Sequence, residues 1–321
     1  MKIFRAAAVL LLLFSLASCA AQGSATPAPT AVPRPEVLDT LPANDAGLPL
    51  LNVYIMEANA LREMDIETYV CGVLAGEMPN DWPLEALKAQ AILARTFVLK
   101  FVFEKSSRYD DADISTDITE AQAYDISAIN DTIRQAVKET CGQVLVTSGG
   151  ALPYAWFHAH SGGSTALARE GLGWQDAEPA YTRVEKGLDS PDAPKKSAVW
   201  EAQFSAKEFL SACHKVGADV TSCKTVKIAQ KGPSGRAVTL SVDGVEVSVA
   251  ELRLALGSTV MRSTLLTELR SKDGTVFMAG KGYGHGVGMP QWGAYALAQD
   301  GMQAADIATY YYENVSIATF W

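Results

Sequence analysis

Leu84, Leu87, Ala91, Ala94, Val98 and Phe101 recur at spacings of three and four, the signature of one buried helical stripe. They predict a helix running to about Glu104. Asp81 stands as its cap and Pro83 inside its first turn, where a missing N–H costs little. Upstream, residues 51–55 read as a strand. The apolar run 69–74 leads into Ala75-Gly76-Glu77-Met78-Pro79, where Gly76 and Pro79 mark a turn. Downstream, a polar loop over 106–126 ends in Ala121-Gln122-Ala123-Tyr124, followed by a helix over 129–139 and strands over 143–147 and 152–158. Residues 181–275 change character, with more charge, a break at Pro191 and Pro194 and a short helix near 205–213. They also carry hairpin signals at Pro233-Ser234-Gly235 and Asp243-Gly244. Past 276–279 come a glycine-rich loop, helices over 291–299 and 303–311, and a strand over 315–320. Mixed strands and helices without a regular βαβ rhythm predict an α+β fold. Its core would comprise 49–180 and 276–321, with 181–275 inserted as a second lobe. No internal repeat is present.

The first residues are patterned differently. Lys2 and Arg5 precede an apolar run over 6–14, and Leu16-Ala17-Ser18-Cys19 follows. A positive start, a short apolar centre and small residues at the exit predict a secretion signal over 1–18, the run being short of the roughly 20 residues of a membrane span. Leu-Ala-Ser-Cys resembles a bacterial lipoprotein box, in which Cys19 is acylated and becomes the new N-terminus. Residues 19–48, crowded with Ala, Thr, Ser and Pro, then read as a flexible tether. Lipid, tether and folded body would place the protein outside the cytoplasm, held to the membrane surface.

Composition narrows the function. A chain of 321 residues, 48% hydrophobic and 20% charged, buries a core without covalent staples. Its 27 Lys and Arg against 36 Asp and Glu show no basic stripe, which argues against a nucleic-acid partner. Cys71, Cys141, Cys213 and Cys223 lack the CxxC spacing of a zinc or redox site. They allow three full pairings, of which Cys213 with Cys223 would close a short loop, while Cys71 reads as a buried free thiol.

Three segments could carry chemistry. Glu77 is the only acid between Thr68 and Asn80 and stands among Val73, Leu74, Ala75, Met78 and Trp82. A carboxyl against apolar surface has a raised pKa and donates a proton near neutrality. The second segment is Gly282-Tyr283-Gly284-His285-Gly286-Val287-Gly288-Met289-Pro290-Gln291-Trp292. It is no dinucleotide loop, because the third glycine would fall on Val287 or Met289, and it lacks the Gly-Lys-Ser/Thr ending of a phosphate loop. A tight structural turn and a site role for His285 both remain open. The third is His158-Ala159-His160-Ser161-Gly162-Gly163. Two histidines two apart on a strand point to one side, and with His285 they would suit zinc, making a metallohydrolase the rival reading. Neither HExxH nor a GxSxG elbow around Ser161 is present.

Together these segments resemble the stage II sporulation protein D family, which includes the amidase-enhancer proteins. The resemblance rests on Ala75-Gly76-Glu77-Met78-Pro79 through Trp82-Pro83-Leu84 to Ala94-Arg95-Thr96, on Ser161-Gly162-Gly163, and on Gly284-His285-Gly286-Val287-Gly288-Met289 with Gln291-Trp292-Gly293-Ala294. The motifs fall in the expected order over about 50–320, and 181–275 matches least. The resemblance implies a lytic transglycosylase acting on peptidoglycan glycan strands, preferentially peptide-stripped ones, with Glu77 as the catalytic glutamate and no cofactor. Arg95, Gln122, Tyr124, Ser161, Gly162, His285 and Gln291 are then expected to bind and orient sugar. Trp82 and Trp292 would either stack on rings or pack in the core. Some members hold zinc through histidine and cysteines before the Gln-x-Tyr segment; residues 115–121 have neither, so no metal is expected there. The sporulation protein is usually held by a membrane helix, whereas this chain carries the lipoprotein box. A glycan-binding lipoprotein that stimulates a cell-wall amidase, without catalysis of its own, is the alternative.

Overall fold

Asp65 joins a strand to a helix with no intervening loop. It closes the strand Ala60–Asp65, and its Oδ1 accepts the Thr68 N–H at 2.9 Å to cap the helix Ile66–Glu77. A computed structural model describes residues 32–321, which form one compact unit of mixed α and β structure. The predicted leader and Cys19 lie outside the described residues. Among those residues no helix is long and apolar enough to cross a membrane.

The helix Leu84–Glu104 is the axis of the first core. It is buried all round from Ala89 to Thr96, rather than along one stripe, because Ala86, Ala89, Ala91 and Ala94 let neighbouring elements approach closely. Packed around it are the helices Ile66–Glu77, Asp131–Glu139, Gln291–Gln299 and Ala304–Tyr310, and the strand Gln143–Thr147. Pro83 occupies the N-cap position and its carbonyl accepts the Ala86 and Leu87 N–H groups. Asp81 makes no cap, contrary to expectation, since the helix starts three residues beyond it, with Pro83 at the N-cap.

Two other expectations change. The Gly76 turn is in fact the last turn of the helix Ile66–Glu77, continued by the Met78 N–H to the Leu74 carbonyl at 3.1 Å. Of the strand expected over 152–158, only Phe157–His158 pairs, parallel to Met289–Pro290. The strands Leu50–Ile55 and Ala60–Asp65 form an antiparallel pair joined in parallel by Ile114–Ser115, and Gln143–Thr147 pairs with Val315–Thr319.

Buried apolar side chains gather in two clusters, one from residues 37–155 and 289–312, the other from 200–278. The second contains two three-stranded antiparallel sheets. Val226–Lys231, Ala237–Val242 and Val245–Ser248 form one; Leu266–Lys272, Thr275–Lys281 and Val199–Ser205 form the other. Asp243 and Gly244 both have positive φ, 46° and 94°, the geometry of a two-residue hairpin turn. Residues 276–281 thus belong to a sheet of the second cluster, not to the core segment in which the sequence placed them. Cys71, Cys141, Cys213 and Cys223 are free thiols, so the Cys213–Cys223 loop is not closed.

Candidate active site

Glu77 ends its helix, so its carboxyl faces the negative end of the helix dipole, which disfavours charge there. It borders a cavity of about 480 Å³ and, among the described residues, is the only carboxylate on its wall. Burial pushes its pKa up to about 7, against the Ala123 N–H and the Gln291 amide, which pull it down. Ala123 N donates to Oε1 at 2.7 Å, and Gln291 Nε2 donates to the Glu77 carbonyl at 3.2 Å.

The segment carrying Ala123 reaches Glu77 because Gly72 and Gly76 lie one turn apart. A Cβ on Gly76 would stand 2.6 Å from the Tyr124 nitrogen, and one on Gly72 would enter the Tyr124 ring. Without side chains there, the helix has a furrow that receives residues 123–124. Tyr124 is therefore a positioning residue. Its ring stacks on Tyr69 with centroids 5.6 Å apart, and it does not line the cavity, contrary to its expected sugar contact.

Gln122 and His158 supply the cavity's unsatisfied polar atoms. Both amide atoms of Gln122 are buried without a partner, and so is Nε2 of His158. Each such atom costs about 1–3 kcal/mol unless something hydrogen-bonds to it. The Val287 carbonyl, 3.2 Å from His158 Nδ1, can only accept, so Nδ1 carries the proton. Burial holds the ring's pKa well below the usual histidine range, leaving Nε2 as a neutral acceptor. His285 also lines the cavity. Its Nδ1 accepts the Val287 N–H at 3.0 Å, and burial, with Arg253 nearby, pulls its pKa down to about 3. This neutral ring fixes the glycine-rich loop. At Gly284, with φ +111°, a Cβ would stand 2.6 Å from the His158 Cβ, so the glycine lets the two histidines face each other at 5.6 Å.

Glu77, Gln122, His285 and Gln291 therefore share one cavity. Three other expected contacts do not reach it. Arg95 is fully buried, its Nε 2.9 Å from Glu67 Oε1 and its Nη1 2.9 Å from the Gln143 carbonyl, clamping two helices and a strand. Ser161 is fully buried. Its hydroxyl donates to Asp189 Oδ2 and accepts the Gly163 N–H at 2.9 Å. Gly162 donates to His160 Nδ1 at 3.0 Å and packs on the Lys281–Gly282 backbone. His160 stands beside Asp189, Nδ1 to Oδ2 at 3.3 Å, while His158 borders the cavity. The three histidines of the zinc alternative are thus divided. Among the described residues no group of three or more His, Cys, Asp or Glu could hold a metal ion. In residues 115–121, Asp117 is bonded to Thr119 and Tyr109, and Glu120 to Ser107 and Arg108.

The sequence did not single out Arg253, Trp156 or Tyr283, which also border the cavity. Trp156 stacks on Tyr154 with centroids 4.9 Å apart, and Trp174 meets it edge-on at 5.5 Å, forming an aromatic shelf at the wall. Trp82 and Trp292, partly exposed, pack on each other at 4.5 Å outside the cavity lining. A larger hollow of about 650 Å³, bordered by Lys195, Lys196, Lys281 and Trp200, has among the described residues only the exposed Glu201 as an acid and no buried unpartnered polar atom.

Comparison with known proteins gives a consistent picture. A family model described as stage II sporulation protein matches residues 54–146, and one described as a domain of unknown function matches 186–288. An uncharacterised protein of Brachyspira hyodysenteriae is 31% identical over 264 residues, covering 81% of this chain and 68% of the relative. Stage II sporulation protein D of Bacillus amyloliquefaciens is 32% identical over 279 residues, covering 83% and 78%. The amidase enhancer of Bacillus subtilis is 27% identical over 296 residues, covering 78% of this chain and 40% of its own length.

Proposed function

The chain belongs to the stage II sporulation protein D family, and from that premise we propose that it is a lytic transglycosylase of bacterial peptidoglycan. Glu77 is the acid and then the base. The observation that carries this reading is one carboxyl, alone on its cavity wall, with a pKa near 7. Glycosidases that deliver water or form a glycosyl-enzyme use two carboxyl groups set about 5–9.5 Å apart. A transglycosylase needs one, because the sugar supplies its own nucleophile.

The protonated Glu77 carboxyl gives its proton to the oxygen joining N-acetylmuramic acid to N-acetylglucosamine. The C1–O bond breaks, and its electron pair leaves with the N-acetylglucosamine hydroxyl. The carboxylate then takes the proton of the muramic 6-hydroxyl as O6 bonds to C1, closing a 1,6-anhydro ring and restoring the acid. The Ala123 N–H occupies Oε1, so Oε2 is the oxygen that carries the proton. Gln122 and His158 offer a donor-acceptor pair and an acceptor for sugar hydroxyls. Trp156 and its shelf offer an apolar face for a pyranose ring. Peptide-stripped strands are the proposed substrate. The signal sequence would direct export and the acylated Cys19 would then tether the enzyme outside the membrane, in wall remodelling such as sporulation.

The similarity to an amidase enhancer favours a second reading, a glycan-binding lipoprotein that stimulates a wall amidase without cutting glycan itself. Mass spectrometry of fragments released from peptide-free peptidoglycan separates the two. Anhydro-muramic ends made by the wild type and absent with Glu77→Gln are expected. Reducing ends would mean that water is the acceptor, and binding without products would favour the accessory role.

A further inference from the structure

Three arginines are buried among the described residues, and two of them feel nearby acids. Arg95 pairs with Glu67, and Arg236 feels Glu170 and Asp189. Arg253 is different. It comes from the helix Val249–Ala255, packed with the second cluster, yet it borders the Glu77 cavity with only 8% of its surface exposed. Its neighbour Leu254 is 66% exposed, so the helix turns its cation inward and a leucine outward. Among the described residues no carboxylate lies within ion-pair distance of Arg253. Nε donates to the Arg262 carbonyl at 3.1 Å, and that carbonyl also accepts the Gly284 N–H at 2.9 Å, tying the cation to the glycine-rich loop. The two Nη groups have no acceptor among the described residues. Desolvation lowers its pKa only to about 10, so the group stays charged at neutral pH. A largely buried cation with no counter-charge is costly unless an anion completes it. Glu77 does not serve, because Arg253 is not among the groups that act on its carboxyl.

We infer that Arg253 is a specificity residue that recognises a carboxylate on the glycan, namely the lactyl carboxylate exposed on a muramic acid whose stem peptide has been removed. The inference rests on the glycan-binding reading above. A muramic residue still bearing its peptide has an amide at this position, with no charge to offer. A planar guanidinium with both Nη groups free suits a carboxylate bound in two-point fashion. The second lobe would thus set which strands enter, while the first core carries the acid.

The test is equilibrium binding by the full chain carrying Glu77→Gln, which prevents turnover, alone and combined with Arg253→Gln or Arg253→Lys. Four soluble ligands are compared: stripped strands with free lactyl carboxylates, the same strands converted to methylamides, strands with intact stem peptides, and N-acetylglucosamine oligomers. The parent should bind the free acid roughly ten- to hundredfold more tightly than the methylamide, as a charge-assisted pair would give. Arg253→Gln should remove that ratio while keeping methylamide binding, which also reports on folding. Arg253→Lys should retain part of it. Equal binding of acid and methylamide by the parent, or a ratio that survives Arg253→Gln, overturns the inference. Tightest binding to intact strands, lost with Arg253→Gln, would assign the carboxylate to the stem peptide and overturn the lactyl assignment. Because only binding is read, these outcomes are independent of whether the wild type makes anhydro ends.

Discussion

Replacing Glu77 with glutamine should make the protein more stable at alkaline pH, and by an amount that depends on pH. In the unfolded chain the carboxyl titrates near 4.5; in the folded protein burial pushes it up to about 7. Between these values the folded state holds a proton that the unfolded state has released. Wild-type stability is therefore fullest below about pH 4.5 and declines as pH rises through 7. At about 1.4 kcal/mol per pH unit, the gap between the two values amounts to about 3 kcal/mol at pH 8. Because Glu77 borders the cavity and is partly wetted, that figure is an upper bound. Glutamine mimics the protonated acid, since its carbonyl can accept the Ala123 N–H and its amide stands where the proton was. The assay is urea unfolding of wild type and Glu77→Gln at pH 4 and pH 8. The difference at pH 4 measures the fixed cost of exchanging an acid for an amide. The further difference gained by pH 8 measures the strain of the charged carboxyl. Other titrating groups cancel, because both proteins contain them. A gain of about 2–3 kcal/mol is expected. A difference that does not change with pH would mean that the folded carboxyl titrates normally, and the case for Glu77 as an acid near neutrality would fall with it.

Activity should follow the same group, so kcat/KM should decline as pH rises through about 7, read from initial rates of anhydro-muramic product between pH 5 and 9. Arg95→Ala should cost about 3–5 kcal/mol in urea unfolding, since it leaves the Glu67 carboxylate and the Gln143 carbonyl without their buried cation. Glycan affinity per folded molecule should not change, and a selective loss of affinity would return Arg95 to the binding site. Gly76→Ala should cost about 1–3 kcal/mol, because the new Cβ would stand 2.6 Å from the Tyr124 nitrogen and push residues 123–124 out of their furrow. Losing the Ala123 N–H should also raise the Glu77 pKa, moving the alkaline limb of the rate profile to higher pH.

What could be read from the chain divides along the range of the interactions involved. The helix Leu84–Glu104 was legible from spacing alone, and the Asp243-Gly244 hairpin from its turn residues, because both depend on near neighbours. Gly76 was legible as a special position, but its reason was misread. The sequence suggests a turn, whereas the glycine makes room for a segment 47 positions away, which only the folded chain brings near. Arg95 fails for the same cause. A lone arginine on a helix looks available for a ligand until Glu67, 28 residues earlier, is seen to bind it. Ser161 looks like a polar group for a sugar until Asp189, 28 residues later, engages both its hydroxyl and its N–H. Arg253 is the reverse case, a cation in a short helix that also holds Glu251, with nothing in the local pattern to mark it as special. Its meaning comes from the acids that are missing around it in three dimensions. Polar residues whose groups all find partners became scaffold, and those with groups left over, the Gln122 amide, His158 Nε2 and the Arg253 Nη groups, border the cavity with Glu77. Whether a polar side chain belongs to a site or to its scaffold is thus decided by pairings across the fold. Local pattern can nominate such residues but cannot sort them.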